Sequence, residues 1–159
     1  MQHQKEDKLF PQGLMPFQVK IKLLDPSAKV PVYSKQGDAG ADLFSIDWGI
    51  LEPGERRLVR TGVALEIPPG FVGLVHPRSG LASSLGITVL NAPGTVDSGY
   101  RGEIKVNLHN TNTQPYSFCI GDRIAQIVFQ EYFEAHFEEV EELNDSVRGI
   151  NGIGSTGVN

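Results

Sequence analysis

Cysteine is almost absent: Cys119 is the only one in 159 residues. No intrachain disulfide can form, so the fold does not depend on an oxidising compartment. Flanked by Phe118 and Ile120, Cys119 reads as a small buried hydrophobe rather than a nucleophile. Positive charge is in deficit, with 14 Lys and Arg against 19 Asp and Glu and a formal net charge of −5. A general nucleic-acid coat needs a broad basic face, so nucleic acid is not an expected partner. A small polyanion is not excluded, because a few well-placed arginines can hold one. No apolar run approaches the roughly 20 residues that span a bilayer, so no membrane partner is expected. The opening from Met1 to Lys8 is polar and lacks the basic-then-apolar order of a signal peptide. A cytoplasmic protein is expected. The histidines at 3, 76, 109 and 136 are scattered without metal-ligand spacing. P-loop, GxSxG and HExxH patterns are missing. A zinc enzyme and a serine hydrolase are both disfavoured.

What is present is glycine, proline and short β-patterned runs. There are 18 Gly and 10 Pro, many for a helical protein. Val19 to Leu23 alternates, and Arg57 to Ile67 is rich in alternating and β-branched residues. Pro68-Pro69-Gly70 stops that run, and Phe71 to Val75 resumes it. Ile87 to Leu90 and Gly102 to Leu108 flank a Gly- and Pro-bearing connection that reads as a hairpin. Ile124 to Phe129 is a further strand. Ser79 to Leu85 is the one helix candidate. The length suits one domain, and the pattern predicts an all-β barrel or sandwich.

Residues 1–16 read as a flexible N-terminal extension, 17–145 as the β domain and 146–159 as a C-terminal arm. Within the acidic stretch from Glu131 to Asp145, Phe133, Phe137 and Val140 are spaced for a last strand with a solvated charged face. The arm carries four glycines between Arg148 and Gly157 and has almost nothing to bury. It is either a frayed end or a segment that orders over an anion, with glycine N–H groups, Ser155, Thr156 and Arg148 as donors.

Five polar, glycine-bracketed islands interrupt the β pattern. They are Asp38-Ala39-Gly40-Ala41-Asp42-Leu43, Pro77-Arg78-Ser79-Gly80-Leu81-Ala82, Gly94 to Gly102, Gly121 to Gln126, and the arm. One island is ordinary turn chemistry. Five, each with Arg, Ser, Asp or Gln beside Gly, suit a dispersed polyphosphate site.

In order and spacing these islands resemble the five motifs of the trimeric deoxyuridine triphosphatase (dUTPase) family, over residues 19–157. PRSGLA, GTVDSGYRG, GDRIAQ and the final RG…GSTG carry the resemblance together. It implies a jelly-roll-like β-barrel that assembles as a homotrimer, with sites at subunit interfaces and the arm closing over a site of the trimer. It implies Mg2+-dependent hydrolysis of dUTP to dUMP and pyrophosphate. That reaction limits uracil incorporation into DNA and supplies dUMP for dTMP synthesis.

The same resemblance assigns roles. Asp97 matches the catalytic aspartate, which orients a water and takes its proton during attack on the α-phosphorus. Aspartates are ionised at neutral pH, so such a base needs no special tuning. Asn91 and the backbone from Ala92 through Gly94 and Thr95 to Val96 match the uracil-reading hairpin. Uracil's acceptor–donor–acceptor edge suits a backbone plus one amide, and a wrong base leaves buried polar groups unpaired. Lys105 matches a position whose backbone meets the base. Tyr100 matches the tyrosine beneath the deoxyribose, where its ring excludes a 2′-hydroxyl. Arg78, Ser79, Gly80 and Gln126 match phosphate contacts, the first three at a helix start. Arg148, Ile153, Gly154, Ser155 and Thr156 match the arm's contacts. Asp42 matches a carboxylate near the water shell of magnesium, itself held by phosphate oxygens and water. Asp122 and Arg123 match a buried structural pair.

One departure stands out. The family arm carries an aromatic residue that stacks on uracil, and here the position is Ile153, with Asn151 in place of a glycine. Ile covers a base by apolar contact only. A related deaminase acting on dCTP is disfavoured because its catalytic glutamate is matched by Asn107, which cannot transfer the protons. A catalytically idle binding module is disfavoured because every polar position needed for hydrolysis is present.

Overall fold

The computed structural model describes residues 18–150. Ten strands and one helix follow one another. They are β1 (Lys20–Leu23), β2 (Gly40–Phe44), β3 (Gly49–Leu51), β4 (Arg56–Glu66), β5 (Phe71–His76), α1 (Ser79–Leu85), β6 (Ile87–Val89), β7 (Gly94–Val96), β8 (Ile104–Asn110), β9 (Tyr116–Phe118) and β10 (Arg123–Glu131). One sheet has the order β1-β4-β8-β6, a second β2-β10-β5-β7, and β3 pairs with β9 as a separate ribbon. All pairings are antiparallel. The described fold is mostly β with one short helix, as expected; its strands form three sheets rather than one closed ladder. No helix among the described residues is long and apolar enough to cross a membrane.

Alternation explains the first sheet. In β8, Ile104, Val106, Leu108 and Asn110 point inward while Lys105 is exposed. Ile104, Val106 and Leu108 meet Val59, Val63 and Leu65 of β4 and the Leu43, Ile124 and Ile127 side chains in one core. Full burial of each such side chain contributes about 1.5–3 kcal/mol. Asn110 is the polar member of that layer. Its amide donates to the Leu51 and Gln114 carbonyls at 2.9 and 2.8 Å, which ties the β3–β9 ribbon to the first sheet.

Four expectations need correction. The runs Ile87–Leu90 and Gly102–Leu108 do pair antiparallel, as a hairpin requires, but the residues between them are not a simple connection. They hold β7, which crosses to pair with β5 while β6 and β8 pair directly, Ile87 opposite Asn110. Cys119 is exposed rather than buried, because it opens the turn in which Asp122 caps its amide. Asp122 and Arg123 are both exposed and are not bonded to one another; neighbouring side chains at the start of a strand point to opposite faces. No strand follows Glu131 among the described residues, and Phe133 and Phe137 are 97% and 91% exposed.

Candidate active site

Two groups of polar residues emerge from this frame. The first surrounds an open cavity of about 480 Å³. The crossing of β7 from one sheet to the other brings its residues beside β4, β6 and β8. Asn91, Gly94, Thr95, Val96 and Lys105, all expected to meet the base, line this one cavity, as do Asp97 and Tyr100. Lys105 reaches it because β8 runs beside β4 with Lys105 opposite Arg60. Leu58 and Glu103 also line it and were not singled out in the sequence. Leu58 carries no polar signal, and its exposure on a core-forming strand is visible only in three dimensions.

Asp97 follows β7 at the mouth of a turn closed by Tyr100 N–H donating to its carbonyl at 3.1 Å. Its side chain is exposed, and no hydrogen bond or ion pair among the described residues engages its carboxylate. Other turn aspartates behave differently. Asp25, Asp38, Asp47 and Asp122 each accept a backbone N–H, from Ser27, Lys35, Arg60 and Cys119, at 2.7–2.9 Å. Asp97 is therefore not a capping carboxylate.

The second group lies where β5 runs into α1. Arg78 is the N-cap residue of α1 in extended conformation, and Ser79 and Gly80 come after it on an exposed turn. Asp42 of β2 is buried at 6% exposure. Its Oδ1 accepts Arg78 Nε at 2.8 Å, and its Oδ2 accepts Ser34 Oγ at 2.9 Å and lies 3.4 Å from an Arg123 nitrogen. Its backbone is locked as well, through reciprocal hydrogen bonds with Val32. A buried carboxylate needs such partners, and here they aim the Arg78 guanidinium. Gln126 of β10 donates to the Pro77 carbonyl at 3.0 Å, holding the residue before Arg78. None of Asp42, Arg78, Ser79, Gly80 and Gln126 lines the cavity. The described chain thus carries two groups of polar residues, of which only the first lines the cavity.

The chain matches the dUTPase family model over residues 26–157. It belongs to the dUTPase family. It is 56% identical over 140 residues to the deoxyuridine 5′-triphosphate nucleotidohydrolase of Thermobifida fusca, covering 87% of this chain and 78% of that protein. Its identity to the enzyme of the same name from Corynebacterium diphtheriae is 52%, over 91% of this chain and 95% of that one. Among solved structures, a point mutant of the Staphylococcus bacteriophage 80alpha dUTPase with dUpNHpp superposes with a TM-score of 0.83 at 31% identity, over 89% and 99% of the two chains. A mutant dUTPase from phage phi11 of S. aureus, described with a structural Mg(II) ion, superposes with a TM-score of 0.75 at 28% identity, over 81% and 100%. The activity is that of a dUTP diphosphatase, the hydrolysis of dUTP.

Within this dUTPase, Arg148 lies in the exposed segment after Ser146, while Ile153, Gly154, Ser155 and Thr156 lie outside the described residues. Asn107, the position matched to a deaminase's glutamate, sits opposite Leu58 on β8, and its carbonyl accepts the Leu90 amide. Among the described residues there is no cluster of three or more His, Cys, Asp or Glu able to cage a metal ion. The Asp42 carboxylate is committed to Arg78, Ser34 and Arg123.

Proposed function

We propose that Asp97 is the general base of this dUTPase. It orients a water, accepts its proton and drives attack on the α-phosphorus; the bond between that phosphorus and the α,β-bridging oxygen breaks. Pyrophosphate leaves and dUMP remains. The observation that carries this reading is the Asp97 carboxylate, exposed at the wall of the cavity and engaged by no described residue. Asn91 and the backbone of Gly94, Thr95 and Val96 read uracil, joined by the Lys105 backbone, and Tyr100 lies beneath the deoxyribose. Arg78, Ser79, Gly80 and Gln126 hold phosphates. The triphosphate enters as its magnesium complex, in which the metal neutralises phosphate charge and fixes the chain in one shape. The physiological outcome is a low dUTP pool, with less uracil in DNA and more dUMP for dTMP synthesis.

Assembly as a homotrimer joins the two groups. None of the Arg78 cluster lines the cavity on its own chain, which suits a site whose two parts come from different copies. The segment after β10 supports this. Phe133, Phe137 and Leu143, the last 88% exposed, lie off the core of their own chain and need another surface. The arm then closes over the bound nucleotide, with Arg148, Gly154, Ser155 and Thr156 on phosphates and Ile153 over the base.

Pyrophosphate release is the direct test: with magnesium, dUTP is turned over and dCTP and dTTP are not. Release indistinguishable from background with all three nucleotides removes the catalytic assignment. Asp42→Asn discards the charge that aims Arg78, and kcat/KM for dUTP is expected to fall about tenfold to a hundredfold. Steady-state kinetics on the folded variant checks this; an unchanged value detaches the Asp42–Arg78 pair from substrate binding. Ile153→Phe restores a stacking surface and is expected to tighten binding of a dUTP analogue up to about tenfold. A large loss of affinity in a calorimetric titration would show that the arm docks by other contacts.

A further inference from the structure

Glu103 has no role in the chemistry of Asp97, yet it is tied down at both ends. Its side chain is only 14% exposed. Oε1 accepts the Gly62 amide at 2.9 Å, and Oε2 accepts Arg60 Nε at 3.3 Å. Both donors belong to β4 at the point where its register against β8 slips between Arg60 and Val63. Thr61 and Gly62 are the extra residues of that bulge. Gly62 stands at φ 67°, which suits glycine, and the buried Thr61 hydroxyl donates to the Ile104 carbonyl. The bulge therefore turns an amide out of the ladder, and the Glu103 carboxylate takes it.

The other end of Glu103 is its carbonyl, which accepts the Tyr100 hydroxyl at 3.0 Å. The phenol lies directly over Gly102, where a Cβ would overlap the ring. Tyr100 is thus held between a glycine face and the residue-103 carbonyl. Its position depends on where residue 103 sits, and the β4 bulge sets that. Tyr100 and Glu103 both face the cavity.

We propose that Glu103 is a positioning residue for sugar discrimination: by anchoring residue 103 to the β4 bulge, it holds the Tyr100 ring where a 2′-hydroxyl would clash. This rests on the proposed placement of Tyr100 beneath the deoxyribose. The two sugars differ by one oxygen atom, so a ring free to move by a fraction of an ångström stops excluding the larger one. The carboxylate acts through backbone and never touches the nucleotide.

The test is kcat/KM for dUTP and for UTP, measured on full-length protein. Tyr100→Ala is expected to erode the dUTP preference, which checks the placement separately. Glu103→Ala is expected to erode it on the order of tenfold, chiefly through faster UTP turnover. In Glu103→Gln the amide oxygen still accepts from Gly62, so most of the preference returns. In the Tyr100→Ala background Glu103→Ala adds no further loss of preference, because the ring that Glu103 positions is already gone. A role in folding alone predicts the opposite pattern: both substrates slow in proportion and the ratio stays at the wild-type value, which overturns the proposal. If Tyr100→Ala leaves the ratio intact, the placement of Tyr100 falls and the proposal falls with it. Should Glu103→Ala fail to fold, Glu103→Asp serves. Its carboxylate is one methylene short of Gly62, so the ratio is expected to drop by a smaller factor, and an unchanged ratio counts against the proposal.

Discussion

Asp97→Asn is expected to bind dUTP with near-native affinity and to turn it over about 10²–10⁴-fold more slowly. An amide keeps the shape of the side chain and can still hold a water. It cannot accept that water's proton. The substitution should leave the fold untouched, because the Asp97 carboxylate supports no backbone group, in contrast to Asp25, Asp38, Asp47 and Asp122. Analogue affinity by calorimetry and single-turnover rates separate binding from chemistry. A rate close to wild type would remove Asp97 from its role. A parallel loss of binding and rate would make it a binding residue instead.

Truncation after Val147 is expected to leave assembly intact and reduce kcat/KM for dUTP by about a hundredfold, the scale of loss when a closing lid no longer positions substrate. The core ends with β10, and the last buried apolar side chain of the described residues is Ile127. Val147 and Ile150 are fully exposed, so the cut is made in a stretch that buries neither of these apolar side chains. The truncation takes away Arg148 and the glycine-bearing arm, the groups proposed to close on the triphosphate. Sedimentation together with steady-state kinetics checks both halves. Full activity in the truncated protein would mean that the arm is no lid.

The strands that sequence revealed most fully are the longer runs of apolar and β-branched residues. Arg57 to Ile67, Phe71 to Val75 and Ile124 to Phe129 correspond to β4, β5 and β10 within two residues at each end, and α1 matches its expected span. The strand β2 was hidden because it is buried on both faces: Ala41, Asp42, Leu43 and Phe44 are all covered, so nothing alternates, and its glycine and aspartate imitate a turn. The ribbon strands β3 and β9 have three residues each, too few to show a period. The expected strand through Phe133 and Phe137 misread apolar spacing as a signal about this chain's own core, whereas those side chains point away from it. In the site, the motif residues were legible because their types are chemically specific. The supports were not. Ser34 and Glu103 resemble any surface Ser or Glu until pairing puts Ser34 on Asp42, and the β4 bulge turns Gly62 toward Glu103. Neighbours in sequence also misled: Arg123 turns to Asp42, far away along the chain, while Asp122 caps Cys119.

The central claim is that a water held by Asp97 attacks the α-phosphorus. Hydrolysis of dUTP in water enriched in oxygen-18, with mass spectrometry of both products, tests it most directly. One labelled oxygen in dUMP and none in pyrophosphate is the predicted result. Label in the pyrophosphate, with dUMP unlabelled, would place the attack on the β-phosphorus and contradict the account.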